Sequence, residues 1–326
     1  GIPATVPALT VNKVCGSGLK AVMLAAQAIR AGDSRLIVAG GMESMSSVPF
    51  YVRGMRGGVK FGNQTMEDGL IHDGLWCSFG NCHMGGHAEY TADKAGVSRE
   101  DADAFSLRSH QKAVAAIEGG RFRDEIVPVE VKSRRGVTVV DTDESPRADT
   151  SLEALGKLRP AFVRDAPAEL ENHVVTAGNA PGLNDGAASI VVTSLEYAEA
   201  NGLEVDAVIS AYASGATEPK DLFFAPIDAV QKLMAKDGRA IGDYEVIEVN
   251  EAFAVQAIAD MRGLGMDEER VNVNGGAVAL GHPIGASGTR VLVTLLNAMD
   301  QQGAGTGLAT LCLGGGNAVA LSVEKV

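Results

Sequence analysis

Three residues in this chain combine reactive side chains with unusual backbone settings. Cys15 opens the small-residue turn Cys-Gly-Ser-Gly, and Cys312, near the far end, opens Cys-Leu-Gly-Gly-Gly. Between them stands Gly-His282-Pro-Ile-Gly-Ala-Ser-Gly. Two thiols and an imidazole on glycine-rich turns are the parts of a nucleophile, a base and an anion hole. A buried cysteine is ordinarily a small apolar core residue. Cys15 departs from that pattern because the start of a helix favours the thiolate, lowering a thiol pKa from ~8.5. His282 is either a satisfied structural residue or a base. The glycines and proline around it imply a close backbone approach. The glycines after Cys312 can expose N–H groups to an oxyanion or cradle a phosphate. Asn250, after the apolar run Glu245–Val249, is either the N-cap of a helix over Ala252–Met261 or the holder of a catalytic water, and the two roles are compatible.

The elements that must position these residues repeat. Leu19, Val22, Met23, Ala26 and Ile29 follow the first turn at helical spacing, Gly32 stops that helix, and Arg35–Ala39 reads as a buried strand before Gly40-Gly41. Near the C-terminal end, Gly285-Ala-Ser-Gly288 precedes Val291, Leu292, Leu295, Leu296 and Met299 on one helical face. Gly303 stops that helix, and Gly307–Cys312 reads as a strand. Even the approaches match, Thr10-Val-Asn12 against Val271-Asn-Val-Asn274. A strand–turn–helix–strand unit is thus duplicated, which predicts two α/β halves whose turns face one another and bring Cys15, His282 and Cys312 together. Between them, residues 46–176 are richer in glycine, charge and turn signals and read as an insertion with a helix over Glu100–Ile117. Ala187–Thr193 returns to core-strand character.

Composition removes several function classes. The net charge of −13 opposes general nucleic-acid binding. No apolar run approaches the ~20 residues that span a bilayer. Four cysteines fit a reducing compartment, here read as cytoplasmic. Cys77 and Cys82 lack the spacing and partners of a zinc site, so no metal is expected. Neither glycine turn matches G-x-G-x-x-G, which argues against a dinucleotide site. Arg121, Arg123, Lys132, Arg134, Arg135, Arg147, Lys157 and Arg159 form a local basic stretch, either a solvated face or a site for a phosphorylated small molecule.

Taken together, Val-Asn-Lys-Val-Cys15-Gly-Ser-Gly, Asn250-Glu-Ala-Phe-Ala, Gly-His282-Pro-Ile-Gly-Ala-Ser-Gly and Cys312-Leu-Gly-Gly-Gly resemble the motifs of the thiolase family, in order and over essentially the whole chain. The resemblance implies a layered α/β/α/β/α fold of two duplicated core halves with an inserted loop domain. It divides the chain into 1–45 with 177–200 (nucleophile half), 46–176 (loop domain for CoA binding and oligomerisation) and 201–326 (C-terminal half). It implies that Cys15 is acylated and that His282 assists its deprotonation. Asn250 would hold a water that stabilises an enolate with His282, and the N–H groups of Cys15 and Gly314 would form a second oxyanion hole. Cys312 would move the α-proton of acetyl-CoA.

His83-Met84-Gly85 resembles the triplet of the short-chain branch, with Leu75, Met84, Leu222, Ala252 and Phe253 expected around a small acyl group. Arg147 is expected near the CoA phosphates, and Phe162 and Ala177 along the pantetheine channel. Pro181 stands where relatives commonly carry a serine. Residues 48–62 resemble a tetramerisation loop, so a dimer of dimers is expected. The implied substrates are acetyl-CoA, acetoacetyl-CoA and CoA, with no separate cofactor. A longer-chain 3-ketoacyl-CoA thiolase and a non-catalytic CoA-ester-binding protein are the alternatives. The family pattern has several tens of residues before the nucleophile motif, where this sequence has 14, so the first strands of that half are expected to be absent from it and the natural protein to be longer.

Overall fold

The computed structural model describes all 326 residues. At its centre, helix α1 (Ser17–Ala31) lies against helix α6 (Ile284–Gln302). Each exists for the reason its sequence suggests. Leu19, Val22, Met23 and Ala26 bury one face of α1; Val291, Leu292, Leu295 and Met299 bury the matching face of α6. Gly32 (φ 82°) and Gly303 (φ 64°) close the two helices in left-handed conformation, each N–H returning to carbonyls of the last turn. The helices touch backbone to backbone. A β-carbon on Gly18 would stand 2.6 Å from the Thr289 nitrogen, and one on Gly288 would strike the Leu19 nitrogen.

Two sheets flank this helical layer. The first pairs β1 (Leu36–Ser44) antiparallel with β2 (Asp185–Thr193). The second has four strands in the order β4 (Val246–Val249), β5 (Thr306–Leu313), β6 (Asn317–Glu324), β3 (Val208–Ala216), with β4 parallel to β5 and the other pairs antiparallel. One core cluster fills the space between the sheets around α1 and α6. A second lies on the far face of the four-stranded sheet. There it is covered by α4 (Ala225–Asp237), α5 (Ala254–Leu264) and α2 (Met84–Ala95). Next to α2, α3 (Arg99–Glu118) opens on a capping box between Ser98 and Asp101.

The first sheet departs from expectation in two ways. Strand β1 continues through Gly40-Gly41 to Ser44, because those glycines mark close approach rather than a strand end. A β-carbon on Gly41 would collide with the Gly285 carbonyl. Neither strand is buried as predicted: only Ala39 in β1 and Val192 in β2 are enclosed, while Leu36, Val38, Met42 and Val191 are exposed. The pair is covered by α1 and α6 on one face only.

Residues 46–176 lie between the two strands of that sheet in sequence. They include a hairpin (Val129–Ser133 with Gly136–Val140) that is exposed throughout and carries Lys132, Arg134 and Arg135. Apolar residues of the 48–66 segment, among them Phe50, Met55, Val59, Phe61 and Met66, face solvent. No helix is long and apolar enough to cross a membrane.

Candidate active site

Cys15 sits in a single 3-10 turn, Val14–Gly16, at the head of α1. The residue before it is strained: Val14 has φ 48°, a left-handed conformation that a β-branched side chain rarely adopts. Local hydrogen bonds hold it there. The Val14 N–H donates to Asn12 Oδ1 (3.1 Å), the Ser17 hydroxyl donates to the Val14 carbonyl (2.7 Å), and the Lys13 N–H donates to Ser17 Oγ (2.8 Å).

The thiol that results is not the thiolate expected of a helix start. Burial pushes its pKa up to about 12, and the charge of Glu43 adds to the rise, although the N–H groups of Cys15 and Gly314 pull the other way. The residue keeps partial access to the cavity. Its neighbours there, including Val14, Ile284 and Leu313, are apolar, and desolvation of the charged sulfur outweighs the helix-end field. The same two N–H groups that oppose the shift are placed at the sulfur, where a thioester oxyanion would form.

His282 is buried just ahead of α6, and its ring is held by one partner. Ser287 Oγ lies 2.6 Å from Nδ1 and 2.9 Å from the Pro283 carbonyl. The carbonyl can only accept, so the serine donates its proton there and accepts from Nδ1–H. The remaining nitrogen, Nε2, carries a lone pair and has no partner. Burial, helped by the positive charge of Arg290, lowers the pKa to about 4, which keeps the imidazole neutral.

Cys312 lies near the end of β5, fully enclosed. Its thiol pKa is raised well above the ordinary value by burial first, then by the neighbouring Cys15 and Asp260. The chain beyond it turns on Gly315 (φ 80°) and Gly316 (φ 78°). Asn250 follows β4 but is not an N-cap. Helix α5 begins at Ala254 after Phe253, and the intervening residues form a turn that carries Asn250 away from the helix start. Its N–H donates to the Thr310 carbonyl (3.0 Å), while its side-chain oxygen and nitrogen are buried with no partner. Such an amide is free to hold a water or a ligand.

One cavity of about 330 Å³ joins these groups. Cys15, His282, Cys312 and Gly314 line it together with the predicted Leu75, His83, Met84, Phe162, Leu222, Ala252 and Phe253. Asn250 is buried and is not among the lining residues. Arg147 and Ala177 are exposed and outside it. The Arg147 N–H donates to His110 Nδ1 at 3.1 Å. The aromatic wall is continuous: His83 stacks on Phe162 at 4.8 Å, and Phe253 meets both Phe162 (6.2 Å) and Phe223 (5.4 Å) edge-on. Gly85 is required there, because a β-carbon would enter the Phe162 ring. A separate recess beside Arg108 and Glu251 encloses about 20 Å³, room for about one water.

Sequence reasoning missed part of this lining. Leu70, Ile71 and Gly74 reach the cavity from a wide helical turn, Leu70–Leu75, whose i→i+5 hydrogen bonds have no sequence signature. Met45, Phe223 and Ile284 come from three separate elements. The buried acids were also missed. Glu248 in β4, 3.7 Å from Arg290, has both carboxylate oxygens unpartnered, and burial pushes its pKa up to about 8. Burial likewise raises Glu125 to about 7.

Comparison with known proteins fits this architecture. Residues 1–196 match the family model for the thiolase N-terminal domain and residues 203–325 that for the thiolase C-terminal domain. The chain therefore belongs to the thiolase family, whose members are acyltransferases. It is 53% identical to a Pseudomonas aeruginosa protein named acetyl-CoA acetyltransferase, over all of this chain and 81% of that one. An Escherichia coli acetyl-CoA acetyltransferase is 49% identical with the same coverage. Among solved structures, human mitochondrial 3-ketoacyl-CoA thiolase superposes with TM-score 0.95 at 36% identity, over 100% of this chain and 81% of that chain. The Bacillus anthracis acetyl-CoA acetyltransferase superposes with TM-score 0.94 at 40% identity, over 99% and 80%.

Proposed function

We propose that this protein is an acetyl-CoA C-acetyltransferase that condenses two acetyl-CoA to acetoacetyl-CoA and CoA and runs the reverse thiolysis. The observation that carries the reading is the neutral His282 with an unpartnered Nε2, lining one cavity with two thiols, Cys15 half-buried and Cys312 buried. A base with a free lone pair suits a thiol that is protonated at rest.

In the first half-reaction Cys15 Sγ attacks the thioester carbon while His282 Nε2 takes its proton, and the Cys15 and Gly314 N–H groups receive the oxyanion. The departing CoA sulfur is protonated by Cys312, leaving an acetyl-enzyme and a Cys312 thiolate. Burial makes that thiolate a strong base, suited to removing the α-proton of a second acetyl-CoA. A water held by Asn250, together with the protonated His282, stabilises the enolate oxygen. The carbanion attacks the acetyl-enzyme and expels Cys15.

Within the aromatic cavity wall, His83 and Met84 limit the acyl group to short chains. The exposed apolar residues of the 48–66 segment support a homo-oligomer, read as a dimer of dimers. Arg147 and Ala177 contact CoA outside the acyl cavity. The 46–176 segment acts as the loop domain, and the free cysteines fit a cytoplasmic location.

A spectrophotometric assay of CoA-dependent acetoacetyl-CoA loss tests the activity. Turnover that requires Cys15 supports it. Faster thiolysis of 3-ketoacyl chains of eight or more carbons would favour the long-chain alternative, and binding of CoA esters without turnover would leave a non-catalytic protein.

A further inference from the structure

A second pair of thiols lies outside the catalytic set, at the edge of the acyl cavity. Trp76–Cys77 and Cys82–His83 form an antiparallel hairpin in which Cys77 and Cys82 are direct register partners. Residues so opposed have Cα atoms roughly 4.5–5.5 Å apart, inside the range a disulfide spans. The turn between them folds both sulfurs inward around Gly80. Its N–H donates to Cys77 Sγ at 3.3 Å. A β-carbon on Gly80 would stand 3.3 Å from Cys82 Sγ and 3.0 Å from His87 Nε2.

His87, on α2, is 5% exposed, and its Nε2 has no partner. Burial lowers the pKa of this imidazole below its ordinary value, which keeps the ring neutral, and the unpartnered Nε2 stands beside Gly80 and Cys82 Sγ. Cys77 is buried and Cys82 half-buried. Two thiols and one proton acceptor therefore converge on a single glycine. These groups are not placed to hold a metal ion.

We propose that Cys77 and Cys82 form a redox modification site, closing to a cross-strand disulfide by exchange with small disulfides, with His87 accepting the first thiol proton. Cys82 is the entry point because it is the accessible one. Its sulfur attacks one sulfur of a disulfide RSSR while its proton passes to His87 Nε2. The departing RS⁻ takes that proton as RSH. Cys77 then attacks Cys82 Sγ in the mixed disulfide, a second RSH leaves with the Cys77 proton, and the intramolecular bond remains. Two thiols are oxidised by two electrons, and RSSR is reduced to two RSH.

The site bears on the acyl cavity through its neighbours. Leu75 precedes the first hairpin strand, and His83 and Met84 follow Cys82; all three line the cavity. Closing the disulfide fixes the two strands against each other and stiffens that wall.

The test equilibrates the purified protein with excess oxidised glutathione, with acetyl-CoA present to cover Cys15, then alkylates, digests with trypsin and weighs the peptide 61–94. The expected peptide lacks both alkyl groups and is lighter than its dithiol form by two hydrogen atoms. Dithiothreitol should restore two alkylation sites. Cys77→Ser should instead trap one glutathione on Cys82, and His87→Gln should slow closure without changing the end point. Thiolysis activity should fall several-fold on oxidation and return on reduction in the wild type, and stay constant in Cys82→Ser. Full alkylation of both cysteines after oxidation, or one glutathione on each, would overturn the proposal. So would an equal loss of activity in Cys82→Ser, because the sensitive thiol would then be a catalytic one.

Discussion

Ser287 Oγ stands 2.6 Å from His282 Nδ1 while giving its own proton to the Pro283 carbonyl 2.9 Å away, and this fixes which imidazole nitrogen is the base. The two residues are five positions apart. Pro283 lies between them, and the first turn of α6 returns Ser287 beneath the ring. Ser287→Ala removes the acceptor, so Nδ1–H is left buried without a partner and the ring is free to turn. The expected loss in kcat is at least about tenfold and no more than the ~10²–10⁴-fold that a general base contributes, with unchanged circular dichroism. A variant at wild-type kcat would mean that the tautomer is set by something other than this serine.

Cys15 alkylation should have an unusual pH profile. A free thiol reacts along a titration centred near ~8.5, whereas this one is pushed up to about 12 and depends on His282 to take its proton. His282 titrates at about 4. Inactivation by iodoacetamide should thus be nearly level from about pH 5 to 8 and weaken only as pH falls through His282's own titration. Acetyl-CoA should protect. A rate that climbs tenfold per pH unit up to pH 8.5 would show that Cys15 reacts only through its own thiolate and that His282 does not take its proton.

The buried Glu248 predicts a stability slope. Its folded pKa of about 8 lies above the unfolded value of 4.5, so the folded protein binds more protons between those limits. The contribution is fully present below pH 4.5 and is lost as pH rises through 8. Glu125, raised to about 7, acts in the same direction. Each such group contributes a slope of up to about 1.4 kcal/mol per pH unit. The melting temperature should fall between pH 6 and 8.5, and Glu248→Gln should flatten that fall. Parallel curves for wild type and variant would show that Glu248 stays ionised.

The α1–α6 crossing gives a test of the fold itself. Gly18→Ala would force a methyl group to within 2.6 Å of the Thr289 nitrogen, where neither helix can yield without disturbing the Cys15 turn. Overpacking of this kind costs about 1–3 kcal/mol. Thermal denaturation should show the loss, and activity should fall with it. A stabilised variant, as helix propensity alone would predict, would mean that the helices are further apart.

What the sequence made legible follows the range of the signal. Helices α1 and α6 were readable because their apolar spacing and terminal glycines are local, and so were the cysteine and histidine turns. The exposure of β1 and β2 was not. Leu36, Val38 and Val191 have the composition of a buried strand, and only the number of layers around them decides whether they are covered. For Asn250 a cap and a water-holding role were both open, and the structure removes the cap, because a strand followed by Asn and an apolar helix looks the same whether or not a three-residue turn intervenes. The depressed Cys15 pKa failed for a related reason: a helix start is a local feature, but the desolvation that outweighs it comes from burial, to which parts of the chain far off in sequence contribute. Glu248 and Arg290 were invisible individually and meaningful only as neighbours across β4 and α6.

The two thiols can be separated by mutation. Cys312→Ala leaves Cys15, His282 and the N–H groups of Cys15 and Gly314 in place, so acetyl transfer from acetyl-CoA to the enzyme should persist, slowed by loss of the proton donor to the departing CoA. Removal of the α-proton should fail, and condensation should drop by ~10²–10⁴-fold. Cys15→Ala should abolish both steps. The double variant should be little worse than Cys15→Ala, because residues acting as a unit are not additive. Intact-mass detection of an acetyl adduct, read beside the condensation rate, distinguishes the steps. If Cys312→Ala condenses acetyl-CoA at near wild-type rate, Cys312 is a core thiol at the end of β5, and the α-proton must leave by another base facing the cavity, of which His282 is the nearest in chemistry.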